Sequence, residues 1–262
     1  MNSGFEMPAL ALGTWLIRDD EAPEAVRQAV RCGYRHIDSA QNYGNERGVG
    51  EGLRTCGIPR SEIFLTTKVD AVIKDYRTAA ESINESLVKL DAEYIDLLLI
   101  HCPQPWEEHN VSPYRYEKEN LAVWRAMEEA VEAGKVRTIG VSNFIESDIY
   151  SLMQGARIKP AVNQFKCHIG HTPLGLIDYC HSLGIVTEAY SPVAHGRALN
   201  NPQIAEMAAR YGVSIPRLCI RYCLQLGMAA LPKSTHPDHI RENAQTDFVI
   251  TDEDMTLLKH ME

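Results

Sequence analysis

Short apolar runs alternate with longer amphipathic stretches along almost the whole chain. Eight runs have the length and apolar content of buried β-strands. These runs cover residues 9–13, 35–38, 63–69, 95–101, 136–142, 161–164, 185–190 and 228–231. Between them, apolar positions recur at helical spacing over residues 23–32, 78–90, 119–133, 145–154, 172–183 and 214–226. The pattern therefore predicts strands and helices in alternation.

Glycines mark the ends of several predicted helices. Gly33, Gly134, Gly184 and Gly227 each follow a helical stretch and precede the next strand, as expected for residues that close a helix in the left-handed conformation. Eight strand and helix units are the number that closes a parallel barrel. We therefore expect an α/β fold, a (β/α)8 TIM barrel, formed as one domain over residues 1–262.

Composition narrows the functional classes. The chain has a formal net charge of −9, which disfavours nucleic acid and anionic membranes as partners because both attract basic surfaces. The first residues lack a signal segment, and no apolar run reaches the roughly 18 residues of a membrane span. Seven cysteines at irregular spacings indicate reduced thiols. We expect a cytoplasmic monomer that acts on a small molecule.

Three titratable side chains stand at or near the carboxyl ends of predicted strands. They are Asp38, Lys68 and His101, and Tyr43 follows in the loop after the second strand. Burying such groups costs several kcal/mol each unless they are paired. Because the carboxyl ends of barrel strands meet at one mouth, we expect the four side chains to share a site. Together they suit the reduction of a carbonyl group with a tyrosine as the acid.

Several short segments resemble the aldo-keto reductase family, in family order and over essentially the whole chain. They are residues 13–15, 33–40, 43–46, 67–68, 101–103, 140–144, 162–164, 189–192, 232–234 and 242–243. Within the family the chain is similar to bacterial NADPH-dependent reductases of aldehydes and keto-sugars, such as the 2,5-diketo-D-gluconate reductases. The resemblance implies a barrel enzyme that reduces aldehydes or ketones to alcohols with NADP(H).

The resemblance also implies roles for the four residues at the mouth. Tyr43 would protonate the carbonyl oxygen as hydride arrives from the nicotinamide. Lys68 would lower the pKa of this phenol, which is about 10 when unperturbed, and Asp38 would hold Lys68 in place. His101 would hydrogen-bond the substrate carbonyl and set its orientation.

Cofactor contacts follow in the same way. The family pattern implies that the nicotinamide carboxamide meets Ser142, Asn143 and Gln164, and that its ring stacks on Tyr190. The other implied cofactor contacts are Thr14 and Asp38 at the mouth, Ser191 and Val193 at the pyrophosphate, Lys233, Ser234, Thr235 and His239 near the 2′-phosphate, and Glu242 and Asn243 at the adenine. The chain lacks a Gly-x-Gly-x-x-Gly motif after a strand, which argues against a Rossmann fold.

Three departures from the family pattern bear on specificity. His239 stands where the family often has an arginine for the 2′-phosphate, so we expect NADP(H) to be preferred and NAD(H) to be usable. Cys102 replaces the usual tryptophan after His101, which leaves Trp15 and Trp106 as candidate substrate walls. The sequence ends soon after a helix predicted over residues 252–260, so we expect the C-terminal loop found in many relatives to be short or missing.

Two other functions stay open from the sequence. One is a regulatory subunit that holds the nicotinamide and turns over slowly. The other is a metal-dependent barrel hydrolase, because the chain has ten histidines. These histidines are scattered without ligand spacing at strand ends, so we predict no metal site.

Overall fold

The computed structural model describes residue 1 and residues 4–261, and its centre is one sheet of eight parallel strands. The strands are β1 (Ala11–Gly13), β2 (His36–Asp38), β3 (Phe64–Val69), β4 (Ile95–Ile100), β5 (Val136–Ser142), β6 (Val162–Lys166), β7 (Val186–Tyr190) and β8 (Ala229–Leu231). A parallel bridge between Leu10 and Ala230 joins the last strand to the first. The predicted (β/α)8 TIM barrel is thus confirmed.

Helices surround the sheet. The described residues form α1 (Ala22–Arg31), α2 (Glu46–Thr55), α3 (Tyr76–Leu90), α4 (Glu117–Glu132), α5 (Glu146–Gly155), α6 (Leu174–Ser182), α7 (Pro202–Arg210), α8 (Ile215–Gln225), α9 (Pro237–Asn243) and α10 (Asp252–Lys259). Local signals explain several ends. The Asp75 side chain caps α3 by accepting from the Thr78 amide at 2.9 Å, and Gly33 follows α1 with φ of 91°. Within residues 1 and 4–261, no helix is long and apolar enough to cross a membrane.

Three helices, α2, α7 and α9, were not predicted from the sequence. In α2 the cause is its glycines at positions 48, 50 and 52, which lower helix propensity by about 1 kcal/mol each relative to alanine. Tertiary packing overrides that preference. A Cβ atom on Gly48 would overlap the carbonyl oxygen of Asp19, and one on Gly50 would overlap that of Leu90. The glycines therefore let the backbone of α2 pack directly against the backbone at Asp19 and Leu90.

The inside of the barrel is divided into two levels. An apolar cluster of Phe64, Leu97, Leu99, Ala161 and Val162 lies inside the barrel, and Phe64 and Val162 are the first residues of β3 and β6. The alternation of side chains along β3 and β4 then brings polar groups to the opposite end. The barrel core thus supports a polar floor beneath its mouth.

His36 lies within the barrel wall between these levels and is fully buried. Its Nε2 atom is 2.9 Å from the Thr66 hydroxyl, and its Nδ1 atom is 3.3 Å from the Pro8 carbonyl. Burial lowers the pKa of His36 to about 4, although the Asp38 charge opposes this shift. The ring is therefore neutral at pH 7, with Nδ1–H able to donate to Pro8 and Nε2 able to accept from Thr66.

We predict that Gly50→Ala lowers the free energy of unfolding by about 3 kcal/mol or more, because its Cβ would overlap the backbone of Leu90. Gly175→Ala in α6 is the matched control, since the nearest atom to its Cβ is a carboxylate oxygen of Glu146 at 3.9 Å. This control should leave stability unchanged or raise it by up to about 1 kcal/mol. Urea unfolding followed by circular dichroism measures both. Equal stability of the two variants would contradict the close approach of α2.

His36 should make the fold sensitive to acid. The unfolded chain binds a proton at this residue near pH 6.5 and the folded chain only near pH 4, so its contribution to stability is lost as the pH falls through this window. The loss amounts to about 3 kcal/mol at most. The stability difference between wild type and His36→Gln should shrink accordingly between pH 7 and pH 4 in urea titrations. His260→Gln, at an exposed helix end, should run parallel to wild type; a parallel His36→Gln curve would refute the assignment.

Candidate active site

A buried ion pair forms the floor of the barrel mouth. Lys68 on β3 is fully buried, and its Nζ atom donates to Asp38 Oδ1 at 2.6 Å and to the Ser39 carbonyl at 2.8 Å. Burial acts to lower the pKa of Lys68, but the charge and hydrogen bond of Asp38 hold it above its usual value. Lys68 is therefore a permanent cation at the base of the site.

Tyr43 is held above this pair by a short 3-10 turn, Gln41–Tyr43, which ends at Gly44 with φ of 69°. Two side chains of the turn fasten it to the end of β3. Gln41 Oε1 accepts from the Asp70 amide at 2.9 Å, and Asn42 Nδ2 donates to Asp70 Oδ2 at 3.1 Å. The loop after β2 thus folds back over the mouth.

The Tyr43 hydroxyl lies 3.3 Å from Lys68 Nζ. Lys68 acts to lower the pKa of this phenol, as expected, but it does not decide the net shift. Burial raises the pKa of Tyr43 above its usual value, and this outweighs the lowering by the Lys68 charge and hydrogen bond, with Asp38 adding to the rise. At neutral pH the phenol therefore keeps its proton, and the nearby ammonium can stabilise the phenolate that proton transfer would leave.

His101 follows β4 and stands beside Tyr43, with ring centroids 5.5 Å apart in an edge-to-face arrangement. Burial, followed by the Lys68 charge, lowers the pKa of His101 well below its usual value. Its Nδ1 atom is buried and has no hydrogen-bond partner among the described residues. Its Nε2 atom forms no hydrogen bond within residues 1 and 4–261 and is not among the buried atoms without a partner, so this nitrogen can hydrogen-bond an incoming group without adding charge.

Trp106 and Trp15 border the mouth in different ways. The Trp106 ring packs edge-on against His101 at 5.1 Å, whereas Trp15 packs against His195 at 5.4 Å. Both tryptophans are partly exposed, at 40% for Trp106 and 45% for Trp15. The loop that carries Trp106 also contacts Cys102, whose thiol is 3.2 Å from His109 Nδ1. Burial raises the pKa of this thiol to about 11. Trp106 is thus the tryptophan that reaches one of the four residues.

Two of the residues expected at the carboxamide are tied to each other and to the loop after β4. Asn143 Nδ2 donates to the His101 carbonyl at 3.0 Å and to Ser142 Oγ at 3.1 Å. Its Oδ1 accepts from the Tyr190 hydroxyl at 2.8 Å. These bonds fix Tyr190 beside the mouth, where its half-buried ring offers a stacking surface.

Gln164 spans the inside of the barrel. Its Nε2 atom donates to Asp38 Oδ2 at 2.9 Å and to Glu188 Oε2 at 2.9 Å. Glu188 is fully buried, and burial together with the Asp38 charge raises its pKa to about 8. Its other oxygen lies 3.8 Å from His36 Nε2. At pH 7 we therefore assign a neutral carboxyl to Glu188.

Thr14 follows β1 and Ser191 follows β7, the two strands that flank β8 in the barrel. The Thr14 hydroxyl donates to the Asp38 carbonyl at 2.9 Å. Ser191 has a left-handed backbone with φ of 55°, and its Oγ atom is 3.2 Å from His195 Nε2. Val193 is half-buried in the same segment. The segment after β7 thus turns sharply across the edge of the mouth.

The residues expected at the 2′-phosphate lie in the segment after β8 and in the first turn of α9. Lys233, Thr235 and His239 are exposed, while Ser234 is nearly buried and its Oγ accepts from the His236 amide at 3.0 Å. The rings of His236 and His239 lie 4.6 Å apart. Two imidazoles and one ammonium therefore stand together on this surface.

The same surface ends in Glu242 and Asn243, of which the first is half-buried and the second buried. Polar groups thus extend from the mouth to α9, and a cationic group lies at the far end. This donor set fits a phosphorylated dinucleotide, because Lys233 can pair with phosphate and the free imidazole nitrogen of His101 faces no protein partner among residues 1 and 4–261. Within the same described part of the chain, no group of three His, Cys, Asp or Glu residues could hold a metal ion.

Sequence reasoning missed several residues that hold this site. Asn45 is buried, donates to the carbonyls of Thr14 and Ile17 at 2.8 and 2.9 Å, and accepts from Ser39 Oγ at 2.9 Å. Glu188 was also missed, although its position two residues before Tyr190 in an apolar strand marks it as a buried acid. Such groups require a partner inside the barrel.

Comparison with known proteins agrees with this geometry. Residues 9–262 match the profile of the aldo/keto reductase family. The chain is 38% identical to the glyoxal reductase of Bacillus subtilis, covering 97% of this chain and 89% of the relative. It is 34% identical to an NAD(P)H-dependent D-xylose reductase of Candida tropicalis, with the same two coverages.

The fold agrees equally well with solved structures. The crystal structure of an aldo/keto reductase from Brucella melitensis superposes with a TM-score of 0.91 at 35% identity, covering 100% of this chain and 97% of the other. Members of the family are oxidoreductases that use nicotinamide cofactors. Nothing in the comparisons supports the alternative of a regulatory subunit. The chain belongs to the aldo/keto reductase family.

Proposed function

We propose that this aldo-keto reductase reduces small aldehydes and ketones with NADPH as its preferred cofactor, and that Tyr43, Lys68, Asp38 and His101 carry out the reaction. The proposal rests mainly on one observation: the buried ammonium of Lys68 contacts both Asp38 and Tyr43. Lys68 Nζ bonds to Asp38 Oδ1 at 2.6 Å and to the Tyr43 hydroxyl at 3.3 Å. Beside them stands a neutral His101.

The bound nicotinamide supplies hydride to the carbonyl carbon, and the protein has to manage the proton. Tyr43 holds a proton at neutral pH and gives it to the developing alkoxide oxygen. Lys68 stabilises the phenolate that results, and Asp38 keeps the ammonium in position. His101 hydrogen-bonds the same oxygen and so orients the carbonyl relative to the phenol.

The chain's own donors would hold the cofactor along the mouth. Gln164, Ser142 and Asn143 would meet the carboxamide, with Asn143 exchanging its bond to Ser142 Oγ for the ligand. Tyr190 would stack on the ring, and Thr14, Ser191 and Val193 would border the nicotinamide and pyrophosphate. The adenosine end would use Lys233, Ser234, Thr235, His239, Glu242 and Asn243.

Two relatives suggest the substrate class, since they are named for glyoxal and D-xylose. In this chain Trp106 packs on His101 and would form one wall of the substrate site, and Trp15 would form another. We therefore propose short aldehydes, sugar aldehydes and keto-sugars as substrates. A panel of these compounds assayed with NADPH and with NADH tests the proposal, and the absence of turnover with every carbonyl compound would refute it.

We predict that Tyr43→Phe lowers reductive turnover at pH 7 by about 10²- to 10⁴-fold, because the phenyl ring has no proton to give. NADPH should still bind, as shown by fluorescence titration. Tyr150→Phe removes the hydroxyl of a tyrosine on α5 that is 62% exposed, and this control should keep wild-type turnover. A Tyr43→Phe enzyme with more than about a tenth of wild-type turnover would exclude Tyr43 as the acid.

His239 should set the strength of the NADPH preference. Arginine is always charged and presents a fork of donors that matches phosphate, whereas an imidazole is not a permanent cation and has no such fork. His239→Arg should therefore tighten NADPH binding by about tenfold and leave NADH nearly unchanged.

Binding titrations of both cofactors on both proteins measure this effect. The control is Arg210→His. Arg210 is a partly exposed residue of α7 that pairs with Asp254, and its replacement should not change the ratio of NADPH affinity to NADH affinity. An equal response of NADPH and NADH to His239→Arg would show that residue 239 does not face the 2′-phosphate.

A further inference from the structure

Glu188 is a buried acid to which the proposed mechanism assigns no role. It lies on β7, its Cα is paired in register with that of Gln164 on β6, and it is fully buried. Its Oε2 atom accepts from Gln164 Nε2 at 2.9 Å, and the same nitrogen donates to Asp38 Oδ2 on the far side of the barrel at 2.9 Å. One amide group is thus held from two sides.

Two hydrogen bonds fix an amide in a way that one cannot. A single bond from Nε2 leaves the amide free to rotate about the donor–acceptor line, whereas bonds through both N–H groups define its plane. The two acceptors also decide which end of the amide faces them. The Asp38 carboxylate that pairs with Lys68 can only accept, so the nitrogen of Gln164 must point at it and the oxygen must point away.

The remaining atom of that amide is Gln164 Oε1. Within residues 1 and 4–261 it accepts no hydrogen bond, and it is not among the buried polar atoms without a partner. It is therefore the acceptor that the side chain can offer at the mouth. A primary carboxamide carries an NH2 group that needs such an acceptor.

We propose that Glu188 is a positioning residue that locks the Gln164 amide so that its Oε1 atom accepts a hydrogen bond from the carboxamide NH2 of the nicotinamide. The inference rests on the proposed function, in which Gln164 meets that group. Glu188 itself touches neither cofactor nor substrate.

The protonation of Glu188 fits this role. The charged groups around it are Asp38 and Lys68 across the barrel, and His36 lies 3.8 Å from its Oε1 atom. A neutral carboxyl places a carbonyl oxygen against Gln164 without adding a second negative charge beside Asp38. A glutamine at position 188 presents the same carbonyl oxygen and should replace it, whereas a leucine has the volume but no acceptor.

The experiment measures dissociation constants of three ligands for Glu188→Leu, Glu188→Gln and wild type. The ligands are NADPH, its 3-acetylpyridine analogue, in which a methyl group replaces the carboxamide NH2, and adenosine 2′,5′-bisphosphate, which lacks the nicotinamide. In Glu188→Leu we expect NADPH to bind about fivefold to tenfold more weakly, the size of one lost hydrogen bond. The other two ligands should change by less than about twofold, and Glu188→Gln should bind all three as wild type does.

The outcomes that would overturn the inference are distinct. Equal weakening of NADPH and the acetylpyridine analogue in Glu188→Leu, or unchanged NADPH binding, would show that Glu188 does not act through the carboxamide NH2. Thermal melting checks that each variant is folded, and Glu188→Met carries the same comparison if the branched leucine prevents folding. A wild-type enzyme that reduces aldehydes but binds NADPH and the analogue equally would overturn the inference and leave the proposed reaction standing, whereas absence of aldehyde reduction by wild type would refute the proposed function itself.

Discussion

The bond between Lys68 and Asp38 is the interaction on which the rest of the site depends. Both groups are buried, so the charge of each would cost several kcal/mol if the other were removed. The ammonium uses its donors on Asp38, on the Ser39 carbonyl and on the Tyr43 hydroxyl. Since these acceptors come from β2 and the loop after it, the cation on β3 fixes that loop as well as its partner.

A second carboxyl and an amide extend this arrangement across the barrel. Gln164 connects Asp38 with Glu188, and Glu188 approaches His36, so polar side chains from β2, β6 and β7 meet above the apolar cluster. Burial keeps both His36 and Glu188 neutral at pH 7. Among residues 1 and 4–261, Lys68 and Asp38 are thus the charged pair of this polar layer inside the barrel, and Gln164 links Asp38 to the neutral Glu188 by hydrogen bonds.

The features that could be predicted from the sequence are those that depend on the spacing of apolar residues and on the place of a residue at the end of a strand. Strand alternation brought Lys68 and His101 to the mouth, and the eight strands and the barrel they form followed from the same pattern. The sequence could not predict α2, because three glycines conceal a helix that only tertiary contacts stabilise. Nor could it predict the net pKa of Tyr43, since burial and the Lys68 charge act in opposite directions and their balance depends on distances.

The close packing of α2 through its glycines limits which substitutions this helix can accept. Only Gly44 and Asn45 separate Tyr43 from the start of this helix, so the depth at which α2 rests on α1 and α3 also sets the height of the phenol above Lys68. Displacements of about 1 Å are enough to impair catalysis. Substitutions that lift α2 from its neighbours are therefore constrained through turnover as well as through stability.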